Sequence, residues 1–247
     1  MKIMLAIVAA VISVQLSASA GQQPLERVIR ESIRIRVPVS ECVAASIAVQ
    51  ISRALAIPAG VEYVPEGCRT HPPQPLSDEI DLYGLTAQEA FDKLVSVDQR
   101  YRWLESEGVV VFRPLAAWTD PNHFLHRSIP DFTVSDVGIR RAIGAVQNAI
   151  GPYVVSRLFD FPERTPQGNQ HISLELGTTS ALEALNAIVR AHGSMLWQVK
   201  YCQPEARLEF ADFGFFTFDG SGGGSRSAFP RDENGKSYDP CARTTPK

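Results

Sequence analysis

Apolar and polar residues alternate through Ile80-Asp81-Leu82-Tyr83. The period then changes, with Ala90, Phe91, Leu94, Val95 and Val97 recurring at i, i+1, i+4 and i+5. This pattern predicts a short strand feeding a helix that lays one apolar stripe on a sheet. The same switch occurs at Ile172-Ser173-Leu174-Glu175-Leu176, followed by Ala184, Leu185, Ile188, Val189 and Ala191. Thr86 with Glu89, and Ser180 with Glu183, have the spacing of a capping box, so both helices are predicted to start there. The second helix is predicted to stop at His192-Gly193, glycine taking the left-handed cap and histidine facing the C-terminal dipole. Strands follow at Tyr101 to Leu104 and Met195 to Val199. Glu105-Ser106-Glu107-Gly108 turns into Val109-Val110-Val111-Phe112 as a hairpin, and the second copy is predicted to return through Arg207-Leu208-Glu209-Phe210.

These segments are two copies of one unit. Ile80 to Leu104 lies on Leu174 to Gln198 without a gap at an offset of 94, which puts Trp103 on Trp197. A repeat of this length signals one fold used twice. Upstream of each copy the pattern predicts a further strand, helix and strand. In the first copy these are Ser32 to Val37, a helix from near Val39 to about Ile57, and Val61 to Val64, with Pro58 and Gly60 ending the helix. In the second they are Asp131 to Val134, a helix from near Ser135-Asp136 to Ile150, and Tyr153 to Phe159. The expected organisation is a leader at 1–20, a first module at 31–114, a linker at 115–128, a second module at 129–216 and a flexible glycine-rich tail at 217–247. The fold class is α+β, with each module packing about two helices between small β-sheets.

Lys2, the apolar run Ile3 to Leu16 and Ala18-Ser19-Ala20 have the three regions of a secretory signal peptide, so the mature chain is predicted to begin near Gly21 outside the cytoplasm. The rival, a signal anchor, needs a longer apolar run of roughly 18 residues. Without Lys2 the chain carries 23 basic against 27 acidic residues, in no long block of either sign. That balance speaks against nucleic acid and anionic membrane as partners, and no membrane span is expected after cleavage. Cys42, Cys68, Cys202 and Cys241 are an even set in an oxidising compartment. Three connectivities are open, of which Cys42 to Cys68 with Cys202 to Cys241 crosses no module boundary. Zinc is the competing use, without a Cys-x-x-Cys or Cys/His spacing to support it.

Candidate chemistry is sparse. His192 reads as a helix cap, and Glu89 and Glu183 as capping-box acids. Trp103 and Trp197 read as packing. No serine has a nucleophile-elbow context, and neither a cofactor nor a metal is implied. The features that differ between copies hold the functional candidates. Trp118, His123 and His126 lie in the linker, and Phe213, Phe215 and Phe216 crowd the end of the second module. All six are candidate partner-binding residues, the phenylalanines as either a last core strand or an exposed edge that pairs with a partner.

The course Gly60-Val61-Glu62-Tyr63-Val64, loop, Ile80-Asp81-Leu82, Thr86-Ala87-Gln88-Glu89-Ala90-Phe91-Asp92-Lys93-Leu94, Tyr101-Arg102-Trp103, Val109 to Phe112 and Phe112-Arg113-Pro114 resembles the secretin and TonB N-terminal short domain, over about residues 33 to 114. A weaker likeness covers about 131 to 212. The resemblance implies a small α+β contact module of bacterial envelopes, found in outer-membrane transducers and in secretins. The doubling of the unit, and a length that leaves no room for a barrel or pore, keep either parent activity from transferring directly. The expectation is a non-enzymatic periplasmic or secreted protein that binds another envelope protein. The alternatives are an envelope hydrolase with an unrecognised site and a self-assembling structural subunit.

Overall fold

The computed structural model describes residues 23–37, 43–64, 78–150, 154–156, 170–201 and 211–218. The leader, the four cysteines and the glycine-rich tail beyond Phe218 therefore lie outside the described residues. The first half runs β1 (Arg34–Val37), α1 (Val43–Ala54), β2 (Ala59–Glu62), β3 (Asp78–Asp81), α2 (Ala87–Val97), β4 (Tyr101–Ser106) and β5 (Val109–Pro114). A short helix, α3 (Leu115–Thr119), follows. The second half repeats the order with β6 (Ser128–Gly138), α4 (Ile139–Ile150), β7 (Val154–Ser156), β8 (His171–Ser180), α5 (Ala181–His192), β9 (Met195–Tyr201) and β10 (Ala211–Thr217). The fold is α+β.

Strand pairing repeats as well. β1 pairs antiparallel with β3, and β6 with β8. In each half the remaining three strands form one antiparallel and one parallel contact, in the order β4-β5-β2 and β9-β10-β7. The two trios join where β2 pairs parallel with β9, giving a six-stranded sheet. The order along the sheet is the same in both trios, but every strand of the second runs opposite to its counterpart. A half-turn about an axis crossing the strands, with a shift along it, carries one half onto the other.

That half-turn also swaps faces, which decides where the cores lie. On β5, Val110 and Phe112 point into the cluster formed by α1 and α2, while Val109 and Val111 point into the cluster of α4 and α5. Leu196 of β9 joins the first cluster, and its neighbours Met195, Trp197 and Val199 join the second. Each half keeps its own helical cluster, and the shared sheet feeds strand residues of both halves into each. The shared sheet is apolar on both faces because each half covers part of the other's strands, and β5 reads as an unbroken apolar run for that reason.

The repeated local devices are in place. Thr86 and Ser180 each accept from the backbone N–H of the glutamate three residues on, at 3.2 Å, and that glutamate accepts the cap residue's N–H at 2.8 Å. Gly193, at φ 76°, closes α5 with its N–H on Val189 O. Two boundaries differ from expectation. β6 runs on through Gly138 with register shifts, so α4 starts at Ile139 rather than near Ser135. The predicted return through 207–210 lies outside the described residues, and β10 is described over Ala211–Thr217. The helix before β2 ends at Ala54 and the chain turns through Ala56 at φ 50°, so Gly60 has no part in stopping it.

The indoles give the clearest sign of one unit used in two environments. Trp103 Nε1 donates to Asp92 Oδ1 at 2.9 Å, and Trp197 Nε1 to Asn186 Oδ1 at 3.0 Å, the same pair at the same offset. The first pair sits at the sheet's edge, where Asp92 is exposed. The second is sealed by the other half, and there the acceptor is neutral, as burial demands. Asn186→Asp is expected to cost about 2 kcal/mol at neutral pH, whereas Asp92→Asn is expected to cost less than about 0.5 kcal/mol. Denaturant unfolding of the two variants checks the contrast.

Candidate functional site

Among the described residues, a cluster of ionisable side chains centred on the buried Glu62 and Arg113 lies at the seam where the two halves meet. Alternation along β2 and β5 turns Glu62 and Arg113 toward the same face of the sheet. Both are completely buried, and Arg113 Nε donates to Glu62 Oε2 at 2.6 Å. The segment after α3 delivers His123, 2% exposed, whose Nε2 lies 2.8 Å from Glu62 Oε1 and 3.0 Å from Tyr201 Oη. Tyr201, at the end of β9, donates its hydroxyl to Glu62 Oε1.

Every nitrogen of the guanidinium is engaged. Nη1 faces His126 Nε2 at 3.2 Å, and Nη2 donates to Ala117 O at 3.2 Å and to His123 Nδ1 at 3.0 Å. The Trp118 ring lies 4.9 Å from the guanidinium carbon, within cation–π range. These contacts assign the imidazole protons. His123 Nδ1 also accepts from Leu125 N–H at 3.2 Å, which leaves its proton on Nε2. His126 Nδ1 lies 2.9 Å from Asp120 O, so its proton is on Nδ1.

Burial by itself raises the Glu62 carboxyl, but the hydrogen bond from His123 and the charge of Arg113 outweigh it and hold the group below its ordinary value. Tyr201 moves the other way, pushed well above 10.0 by burial and then by the negative charge of Glu62. A carboxylate held ionised, with both oxygens already accepting, has no proton to give and no lone pair facing solvent. The cluster ties β2, β5, the segment after α3 and β9 together.

No protein-family model, curated protein or solved structure matches the chain. Assignment of this cluster therefore rests on its geometry.

The structure redistributes the residues singled out from sequence. His123 and His126 do come together with Trp118, but around Arg113 inside the seam. His123 in particular is sealed, which corrects its reading as a residue open to a partner. Trp118 is half-buried, with Nε1 on Arg102 O at 3.4 Å. Phe215 is 2% exposed, and β10 lies between β9 and β7. β7 pairs with β10 over Ala211–Phe213, and the Phe215 side chain belongs to the second core cluster, as the last-core-strand reading of the phenylalanine-rich end expects. The backbone of Phe213 and Phe216 belongs to the same strand, and their side chains lie outside the described residues, as does the proposed pairing of Cys42, Cys68, Cys202 and Cys241. Among the described residues no group of three or more His, Cys, Asp or Glu is placed to hold a metal, and no helix is long and apolar enough to cross a membrane.

Sequence reasoning passed over Glu62, Arg113 and Tyr201. The signal was a single charge of opposite sign in each of two otherwise apolar strands, Gly60-Val61-Glu62-Tyr63-Val64 and Val109-Val110-Val111-Phe112-Arg113. Such isolated charges in buried strands call for each other. Sequence reasoning also passed over Arg27 and Arg127, which the repeat contains at an offset of 100 in Leu25-Glu26-Arg27-Val28-Ile29 and Leu125-His126-Arg127-Ser128-Ile129. Arg27 Nη1 donates to Leu55 O at 2.8 Å and Ala56 O at 2.9 Å, and Arg127 Nη1 to Ile150 O, so each arginine holds the end of the first helix of its half. Each also accepts the N–H of the first residue of the second helix through its own carbonyl, Ala87 at 2.9 Å and Ala181 at 3.0 Å. The repeated unit thus begins near Pro24 and Phe124, before the expected module starts at 31 and 129.

Proposed function

We propose that this chain is a non-enzymatic interaction protein of the bacterial envelope, built from two secretin/TonB short-domain-like modules and acting outside the cytoplasm. The observation that carries the reading is the fate of the enclosed cluster. The buried Glu62–Arg113 pair, with His123 and Tyr201 on the carboxylate, is engaged in joining the two halves, which favours surface recognition as the use of the fold. Two surface hollows, about 500 Å³ beside Val28, Arg30, Arg53 and Phe218 and about 290 Å³ beside Glu107, Thr179, Glu183 and Arg190, take in none of its members. The doubled unit, the secretory leader and the likeness to envelope contact modules supply the compartment.

The test is expression of the full chain in a bacterium, with N-terminal sequencing of the recovered protein and crosslinked capture from envelope extracts. The expected outcome is a mature N-terminus near Gly21 and saturable capture of a defined envelope protein. Recovery in the cytoplasm with the leader intact would sink the compartment. Steady turnover of ester, peptide or glycoside substrates by the purified chain, lost on Glu62→Gln, would replace the reading with an enzyme.

A further inference from the structure

The half-turn that joins the two halves is not closed on itself. β2 of the first half meets β9 of the second, so the counterparts of those two strands, β7 and β4, are left at opposite ends of the sheet. A contact of this head-to-tail kind has the same donor and acceptor surfaces available again at its ends. β4 is the counterpart of β9, and among the described residues no strand pairs with its outer side. What β9 receives therefore states what β4 is shaped to receive.

On β9 the arriving strand is parallel, with Ala59 opposite Leu196, Gly60 opposite Trp197, Val61 opposite Gln198 and Glu62 opposite Val199. The strict element is the glycine. A Cβ at Gly60 would lie 2.0 Å from a ring carbon of Trp197, so any side chain there collides with an indole held by Asn186. Trp103 is held the same way by Asp92. Transferring the register by the 94-residue offset puts the glycine opposite Trp103. It puts the following residue opposite Leu104, a leucine 39% exposed, and the next one opposite Glu105.

The register also excludes a second copy. Phe112 and Phe215 both pair with the repeat's tryptophan. Ser156, opposite Phe213, is thus the counterpart of Ala59, opposite Val110. The next residue, Arg157, stands in the sequence where Gly60 would have to be. A strand bringing arginine to Trp103 does not fit, and Arg102 in the place of Leu196 adds charge at the same seam.

We infer that the free edge of β4 is a docking site for a parallel strand of another polypeptide with the pattern small, glycine, apolar, basic, its glycine lying against Trp103 and its basic residue opposite Glu105. Main-chain pairing supplies the attachment and the indole supplies the selection. The inference rests on the interaction-protein reading and names its surface.

The test adds a peptide with the sequence of residues 57–64 carrying Glu62→Lys to the ¹⁵N-labelled full chain. Amide and indole shifts are expected at Trp103, Leu104 and Glu105. A peptide that also carries Gly60→Leu is expected to bind at least tenfold more weakly. Leu104→Lys in the chain, an exposed change that leaves the core alone, is expected to lower affinity by a similar factor at an unchanged melting temperature. Equal binding of the two peptides, shifts confined to β9, or no shifts at millimolar peptide overturns the inference. Self-association that Leu104→Lys abolishes assigns the edge to a second copy and overturns it too. An envelope partner captured equally by wild type and Leu104→Lys removes the edge but leaves the interaction reading standing, whereas no capture by wild type removes that reading itself.

Discussion

Replacing Arg113 by methionine is expected to destabilise the protein by roughly 3–5 kcal/mol, because it leaves the Glu62 carboxylate buried without its cation. The sign of the pH dependence is expected to reverse. In the wild type Glu62 titrates below its ordinary value of 4.5, so its contribution is present above about pH 4.5 and is lost as pH falls through the folded-state value. Without Arg113 burial dominates and raises the carboxyl above its unfolded value. The variant then gains stability as pH falls from 7 towards 5, where the wild type holds level. Thermal melts across that range read the reversal directly. A Glu62→Gln/Arg113→Met double variant is expected to recover most of the loss, since both charges are gone together. Tyr201 adds an alkaline limit. With its phenol raised well above 10.0, the stability it contributes is complete below pH 10 and is lost as pH rises past that point. An Arg113→Met variant as stable as wild type would show that the cluster does not hold the seam.

Gly60→Leu is the second large effect. The residue sits in a fully buried strand against Trp197, and even one added carbon would stand 2.0 Å from the ring. The indole is fixed by Asn186 and packed on the α5 side, so relief requires either moving the ring out of the second core or parting β2 from β9. The expected cost is at least about 2 kcal/mol, with faster proteolysis in the segment around Leu115 to Arg127 as the halves separate. The change in a Trp197→Leu background is the control. There the obstructing ring is absent, so adding Gly60→Leu is expected to cost much less than it does in the wild type. Equal costs in both backgrounds would mean that the glycine serves some other purpose than close approach.

The repeated elements were legible because their signals are local. Thr86-x-x-Glu89 and Ser180-x-x-Glu183 place a helix start within four residues, and the stripe from Ala90 to Val97 specifies which face is buried. The end of the second module left two readings open for a physical reason. Phe213, Phe215 and Phe216 look like surplus apolar surface when one strand is imagined on one sheet. Phe215 finds its place in the second core once β10 joins a six-stranded sheet with helices on both faces. His123 and His126 were visible as an unusual pair, but their role depends on Arg113 and Glu62, which approach from other strands. Of the two, Glu62 is 61 positions from His123.

By itself the sequence determined the α+β class, the order of strands and helices, the duplication and the caps, all of which follow from contacts within a few residues along the chain. The tertiary structure alone decided that the two halves share one sheet, that β2 meets β9 with a glycine under a tryptophan, and that the linker histidines close over a buried ion pair. Those outcomes depend on pairs as distant as Glu62 and Tyr201, 139 positions apart. Periodicity records which face of a strand is covered. It carries no record of which other segment does the covering.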